Sequence, residues 1–187
     1  MNAFDYLAVL ISIVLGLGIT NVLNGFAGIV RQRARVKLYW PLLVWMIILF
    51  LIHVQVWWAM FELRQVTQWT FVGFLAVLLQ PVTLFLATAV LVPEFSGDGP
   101  FDLRELYFRE ASWFFAGIVA VLLVSLVRTP IVTGHLTNRT DLSAHIVFIG
   151  LASGAAFWPN DLVHRLSAVL ALLLYTGYIA ALFINLE

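Results

Sequence analysis

Of 187 residues, 63% are hydrophobic and only 11% are charged, and the mean hydropathy is +1.00. Soluble domains are about 45–50% apolar and about 25% charged, so this composition cannot supply a water-facing surface. Ten Lys and Arg cancel ten Asp and Glu, and there is no cysteine; nucleic acid is excluded as a partner, as are disulfides, thiolate catalysis, zinc ribbons and iron–sulfur clusters. The expected fold is all-α: a polytopic transmembrane helix bundle of about six spans, one domain over residues 1–187, surrounded by membrane lipid.

A spanning helix takes about 20 mostly apolar residues, because the bilayer core offers its backbone no water. Charged residues divide the chain into segments of that length. The first runs from about Phe4 to Val30 and ends at Arg31, Arg33, Arg35 and Lys37; the second runs from about Tyr39 to Phe61 and ends at Glu62 and Arg64. The third covers about Trp69 to Val92 and stops at Pro93. A loop at 93–104 follows, with the breaker-rich run Ser96-Gly97-Asp98-Gly99-Pro100. The fourth span reads Leu103 to Val127, stopped by Arg128 with Pro130 beyond. The fifth, about Leu142 to Trp158, is the shortest, and the last covers about Leu162 to Leu186. Asp102 with Glu105 reads as a capping-box variant opening span four, and Asp141 and Asp161 stand where the caps of spans five and six belong. Pro159-Asn160 is a tight connection, which makes the last two spans antiparallel neighbours.

Positive residues mark the cytoplasmic side of a membrane protein. Loops after spans one, three and five hold Arg31, Arg33, Arg35, Lys37, Arg104, Arg109 and Arg165, against Arg64, Arg128 and Arg139 opposite. Seven against three puts the first set in the cytoplasm of a bacterial inner (plasma) membrane protein with both termini outside. The N-terminal tail carries Asp5 and no Lys or Arg, unlike the start of a cleavable signal peptide. Tyr39, Trp40, Tyr107, Trp113 and Trp158 form an inner aromatic belt, and Trp57, Trp58 and Trp69 an outer one.

Charge within a bilayer is costly and marks function. On this parse no span carries Asp, Glu, Lys or Arg away from its ends, which argues against carboxylate proton pumps, arginine-ladder voltage sensors and carboxylate-held metal. No metal or other cofactor is expected. The midplane polar groups are His53, Gln55 on nearly the opposite face of the same helix, and Gln80 just before Pro81. Pro81 has no amide hydrogen and frees a carbonyl about four residues earlier. Gly73, Ala76, Gln80, Thr83 and Ala87 form one small-and-polar stripe; Gln80 there reads first as interhelical glue and second as pore lining. His53 reads first as a packing histidine and second as a ligand or proton relay.

Span one repeats small or polar residues every fourth position, at Ala8, Ser12, Gly16, Thr20, Asn24 and Gly28, with Asn21 and Gly25 alongside. Such a stripe serves either a helix of the same chain or a homo-oligomer. Weaker stripes lie on span five (Ser143, His145, Ala152, Ser153, Ala156) and span six (His164, Ser167, Ala171, Tyr175, Tyr178), whose tyrosines are expected to face the bundle.

His53 and His145 are poor haem ligands because they sit at different depths. Ala152-Ser153-Gly154 followed by a histidine-bearing span superficially resembles the rhomboid intramembrane proteases. Leu151 stands where that family has glycine, however, and His164 lies at a mouth, away from the depth of Ser153. No catalytic residue is therefore expected. Leu15-Gly16-Leu17-Gly18-Ile19-Thr20, Tyr39-Trp40-Pro41 and His53-Val54-Gln55-Val56-Trp57-Trp58 resemble segments of small multi-pass bacterial membrane proteins of unassigned function. That resemblance covers mainly the first half of the chain and implies no activity.

The leading functional expectation is a channel or facilitator for a small ion or solute, its path lined by His53, Gln55, Gln80 and Thr83. One alternative is a non-catalytic accessory or sensor protein meeting a cytoplasmic partner through residues 93–110. Another is a haem- or quinone-binding membrane protein.

Overall fold

The computed structural model describes residues 3–66, 68–95, 97 and 99–182. Six helices carry the fold: α1 (Ala3–Arg31), α2 (Trp40–Ala59), α3 (Phe71–Leu91), α4 (Leu103–Thr133), α5 (Arg139–Phe157) and α6 (Asp161–Leu182). All six contain a stretch long and apolar enough to cross a membrane. The chain is an all-α bundle of a multi-pass integral membrane protein.

Local chemistry sets most helix ends. Pro41 sits in the first turn of α2, where its missing amide hydrogen costs nothing. The helix runs on into a 3-10 turn over Met60–Gln65. Thr70 caps α3, its hydroxyl accepting from the Gly73 amide at 3.0 Å. Asp102 caps α4, accepting from the amides of Arg104 at 2.8 Å and Glu105 at 3.4 Å.

Three ends differ from those the sequence suggested. Span four does not stop at Val127: α4 continues through Arg128 and Pro130 to Thr133, and closes on Gly134 at φ 70, a left-handed position that glycine adopts without strain. The hydroxyls of Thr129 and Thr133 bond back to the Ser125 and Thr129 carbonyls, knitting the turn around Pro130. Asp141 and Asp161 are not the caps of α5 and α6. Asn138 accepts from the Asp141 amide at 2.7 Å, and Asn160 from the Leu162 amide at 2.8 Å. Asparagine caps as well as aspartate, and an acidic residue is equally at home in the first turn, near the positive end of the helix dipole. Both carboxylates are thereby released for other partners. Ser96 and Asp98 of the breaker-rich loop and residues 183–186 of the last expected span lie outside the described residues.

The longest contact runs between α3 and α4; α1 packs on α3 and α2, α5 on α4 and α6, and α2 reaches α6. Gly117 lets α3 and α4 close up, since a Cβ there would lie 2.9 Å from the Ala87 Cβ and 3.2 Å from its Cα. At one end of the bundle the α1–α2 and α3–α4 connections are tied together. Val36–Lys37 (β1) pairs in parallel with Phe101–Asp102 (β2), Val36 opposite Phe101. Lys37 Nζ reaches Asp102 Oδ2 at 2.9 Å, and the Arg35 guanidinium donates to the carbonyls of Gly97 and Gly99. This small sheet has no signal in the sequence, being only two residues to a strand.

Candidate functional site

The space that matters lies between α2, α4, α5 and α6, with Gln80 of α3 at its side: a cavity of about 360 Å³. Its mouth is at the end opposite the tied loops, among Glu62, Leu136 and Asn138, all exposed. From Glu62 the lining extends along α2 to Trp45, about 25 Å at a rise of 1.5 Å per residue. Ile118, Ala152 and Ala171 line the deep end with Trp45. Behind them Trp45 packs edge-on against Phe114 and Phe115, ring centres 5.4 and 5.2 Å away, and all three rings are buried.

One helical turn inside the mouth is a polar cluster. Asp141, freed from capping, accepts from the Tyr178 hydroxyl at 2.7 Å. His145, one turn further along α5, places Nδ1 2.8 Å from the Asp141 carbonyl and 3.3 Å from its carboxylate. Arg128 lines the facing wall, half-buried, and makes no ion pair with any described residue. Because α4 does not stop at Val127, Arg128 projects from the last turns of a helix and not from the loop that follows it.

Deeper, three polar atoms of lining residues are left without partners among the described residues: Trp45 Nε1, Gln80 Oε1 and the Tyr175 hydroxyl. Gln80 is 7% exposed and Tyr175 6%, yet neither Gln80 Oε1 nor the Tyr175 hydroxyl has a hydrogen bond. Both side chains line the cavity. An amide or hydroxyl buried without a bond costs roughly 1–3 kcal/mol, so the pair marks where something polar belongs.

No family model, curated protein or solved structure matches the chain.

Of the four residues expected to line a path, Gln55 and Gln80 border the cavity, and His53 and Thr83 lie elsewhere. His53 is fully buried on the opposite face of α2, its Nδ1 2.8 Å from the Leu49 carbonyl and its ring against Gly18 of α1. Thr83 donates to the Leu79 carbonyl of its own helix at 2.7 Å. The two histidines considered for haem do not face each other, since His145 borders the cavity and His53 faces α1. His164 Nδ1 lies 3.0 Å from the Tyr107 hydroxyl, so the base of a Ser153 dyad is engaged elsewhere. Among the described residues no three His, Asp or Glu converge as a metal would require.

The stripe on α1 is divided. Gly28 packs on Phe95. Ser12 and Asn21 are half-buried, Thr20 and Asn24 are exposed, and a Cβ on Gly16 would meet nothing within 4 Å. The neighbouring helices instead meet Leu7, Ile11, Leu15, Val22 and Ile29, with Gly18 and Gly25 at the closest approaches.

Sequence reading missed Arg128, Asp141 and Tyr178 as site residues. The available signal was spacing: Asn138, Asp141 and His145, like Ala171, Tyr175 and Tyr178, recur at three and four residues and so share a helix face. At the tied end Asp161 gathers the Tyr39 hydroxyl at 3.0 Å, Arg104 at 3.4 Å and Arg165 at 2.8 Å. Burial, then the bond to Asp161, raises the Tyr39 phenol above its ordinary range, so it remains a donor at any physiological pH.

Proposed function

We propose that this protein is a membrane-embedded binding protein that takes a small, mostly apolar molecule into the cavity between α2, α4, α5 and α6. One observation carries the reading: the cavity opens among exposed residues at one end and is stopped at the other by the buried Trp45–Phe114–Phe115 cluster. A volume of about 360 Å³ falls within the roughly 300–1,000 Å³ of small-molecule sites, which combine apolar walls with a few placed polar groups. The distribution of Lys and Arg supports a mouth on the extracytoplasmic side. Were the floor to open, the same space would be the vestibule of a facilitator, as the sequence suggested for Gln55 and Gln80. The strip of half-buried Gly16 with exposed Thr20 and Asn24 supports self-association as a separate proposal, to be checked by the mass of the detergent-solubilised protein.

The test is calorimetric titration of 2-methylnaphthalene into protein held in lipid nanodiscs, with empty nanodiscs as the blank. Ala171→Phe, which places a ring in the deep end, should weaken binding at least tenfold while leaving the thermal unfolding midpoint within a few degrees. Unchanged affinity in a folded variant overturns the reading. Saturable solute flux in proteoliposomes would replace binding by facilitation.

A further inference from the structure

We propose that the ligand carries an aromatic ring with a free hydroxyl, a phenol or hydroquinone head, and that Gln80 and Tyr175 recognise that hydroxyl. The inference rests on the binding reading above and deepens it. Gln80 Oε1 has no hydrogen to give, so whatever satisfies it must donate. The Tyr175 hydroxyl both donates and accepts. Each belongs to a side chain more than nine-tenths buried, each lacks a partner among the described residues, and both line the same cavity. A neutral hydroxyl is the smallest group that gives a proton to the first and takes one from the second.

Charge selects against an ionic head at that depth. The formal charges bordering the cavity are Glu62, Arg128 and Asp141, all toward the mouth. Asp141 is already held by Tyr178 and His145. Deeper than those charges the lining includes Ile48, Ile52, Val121 and Leu122, an apolar wall in which an ion would go unsolvated. The aromatic requirement comes from α5 and α6. Phe148, Tyr175 and Tyr178 have mutual ring-centre distances of 6.3 Å, two contacts tilted steeply and one near-parallel. Together they present a wall of ring edges and faces, against which another ring packs better than a saturated one of equal size.

Three probes of one shape test this in nanodiscs: 2-naphthol, its methyl ether and decahydro-2-naphthol. The ether keeps the acceptor and loses the donor; the saturated alcohol keeps the hydroxyl and loses the ring. We expect 2-naphthol to bind roughly fivefold more tightly than the ether, the worth of one ordinary hydrogen bond, and more tightly than the saturated alcohol. Gln80→Met should abolish the preference for 2-naphthol over the ether, and Tyr175→Phe should weaken both alike. Equal binding of naphthol and ether in the unaltered protein overturns hydroxyl recognition and leaves the binding reading standing. A saturated alcohol that matches naphthol overturns the aromatic requirement. Absence of binding by all three, and by 2-methylnaphthalene, overturns both the ligand class and the binding function. If neither variant alters affinity but both raise thermal stability, the two polar atoms serve only trapped water and the proposal falls.

Discussion

His53 shows how a polar residue at the midplane of a membrane helix becomes structural. Its ring fills the space left by the absent side chain of Gly18, and Nδ1 is spent on the backbone of its own helix. Gly18→Ala would set a methyl group onto that ring. It is expected to cost about 1–3 kcal/mol through overpacking, whereas Gly16→Ala, facing open space, should leave unfolding in detergent unchanged. Asp102 invites a different test. The bond from Lys37, reinforced by the Arg104 and Glu105 amides, holds its carboxyl below the ordinary carboxylate range. A lowered native value means its contribution is complete above the ordinary carboxylate pKa and is lost as pH falls through the lowered one. Asp102→Asn should therefore lower stability near neutrality, where that contribution is complete, and flatten the acid limb of a stability-against-pH curve. Residue type alone could not have separated these cases. His53 and His145 look alike in the sequence, and only their helix faces send one to a glycine and the other to a cavity.

Helices were legible because a spanning segment must be long, apolar and bounded by charge, and those demands leave strong marks. Their ends were less so. Where Asn precedes Asp by three residues, as at Asn138 and Asp141, or directly, as at Asn160 and Asp161, either can cap, and composition does not choose. Pro130 misled for a physical reason: proline disrupts a helix through the amide it lacks, yet hydroxyls at Thr129 and Thr133 stitch the neighbouring carbonyls and α4 runs on. That extra turn and a half converts Arg128 from a loop charge into a cavity wall. Two element-scale outcomes follow. Gly117→Val should separate α3 from α4, because the Ala87 backbone cannot yield as a flexible side chain would; lowered expression and a loss of a few kcal/mol in unfolding are expected. Tyr178→Phe removes a bond from α6 to the Asp141 carboxylate and should cost about 1–2 kcal/mol, measured by denaturation in the same detergent.

On the scale of the molecule, the absence of cysteine is an experimental convenience. A single cysteine placed at Thr137 and another placed at Arg109 would each be the sole thiol in the chain. A membrane-impermeant maleimide added to intact cells should label Thr137→Cys and spare Arg109→Cys until the membrane is broken; the reverse pattern would invert the topology that the positive residues imply. The cavity was beyond sequence reading because it is assembled from five helices, and no periodicity within one reports which faces converge.

The paired segments Val36–Lys37 and Phe101–Asp102, with Arg35 and the Asp161 cluster beside them, lie at one end, and the mouth lies at the other. Rods bound at one end move least near the binding and most at their free tips. For the same small rotation, the helices around Asn138 and Glu62 sweep several times the arc available at Trp40. Thermal breathing in this bundle is thus graded along its axis: it widens the aperture first and reaches the aromatic floor last. A guest could come and go at the free tips while the far side of the membrane stays sealed.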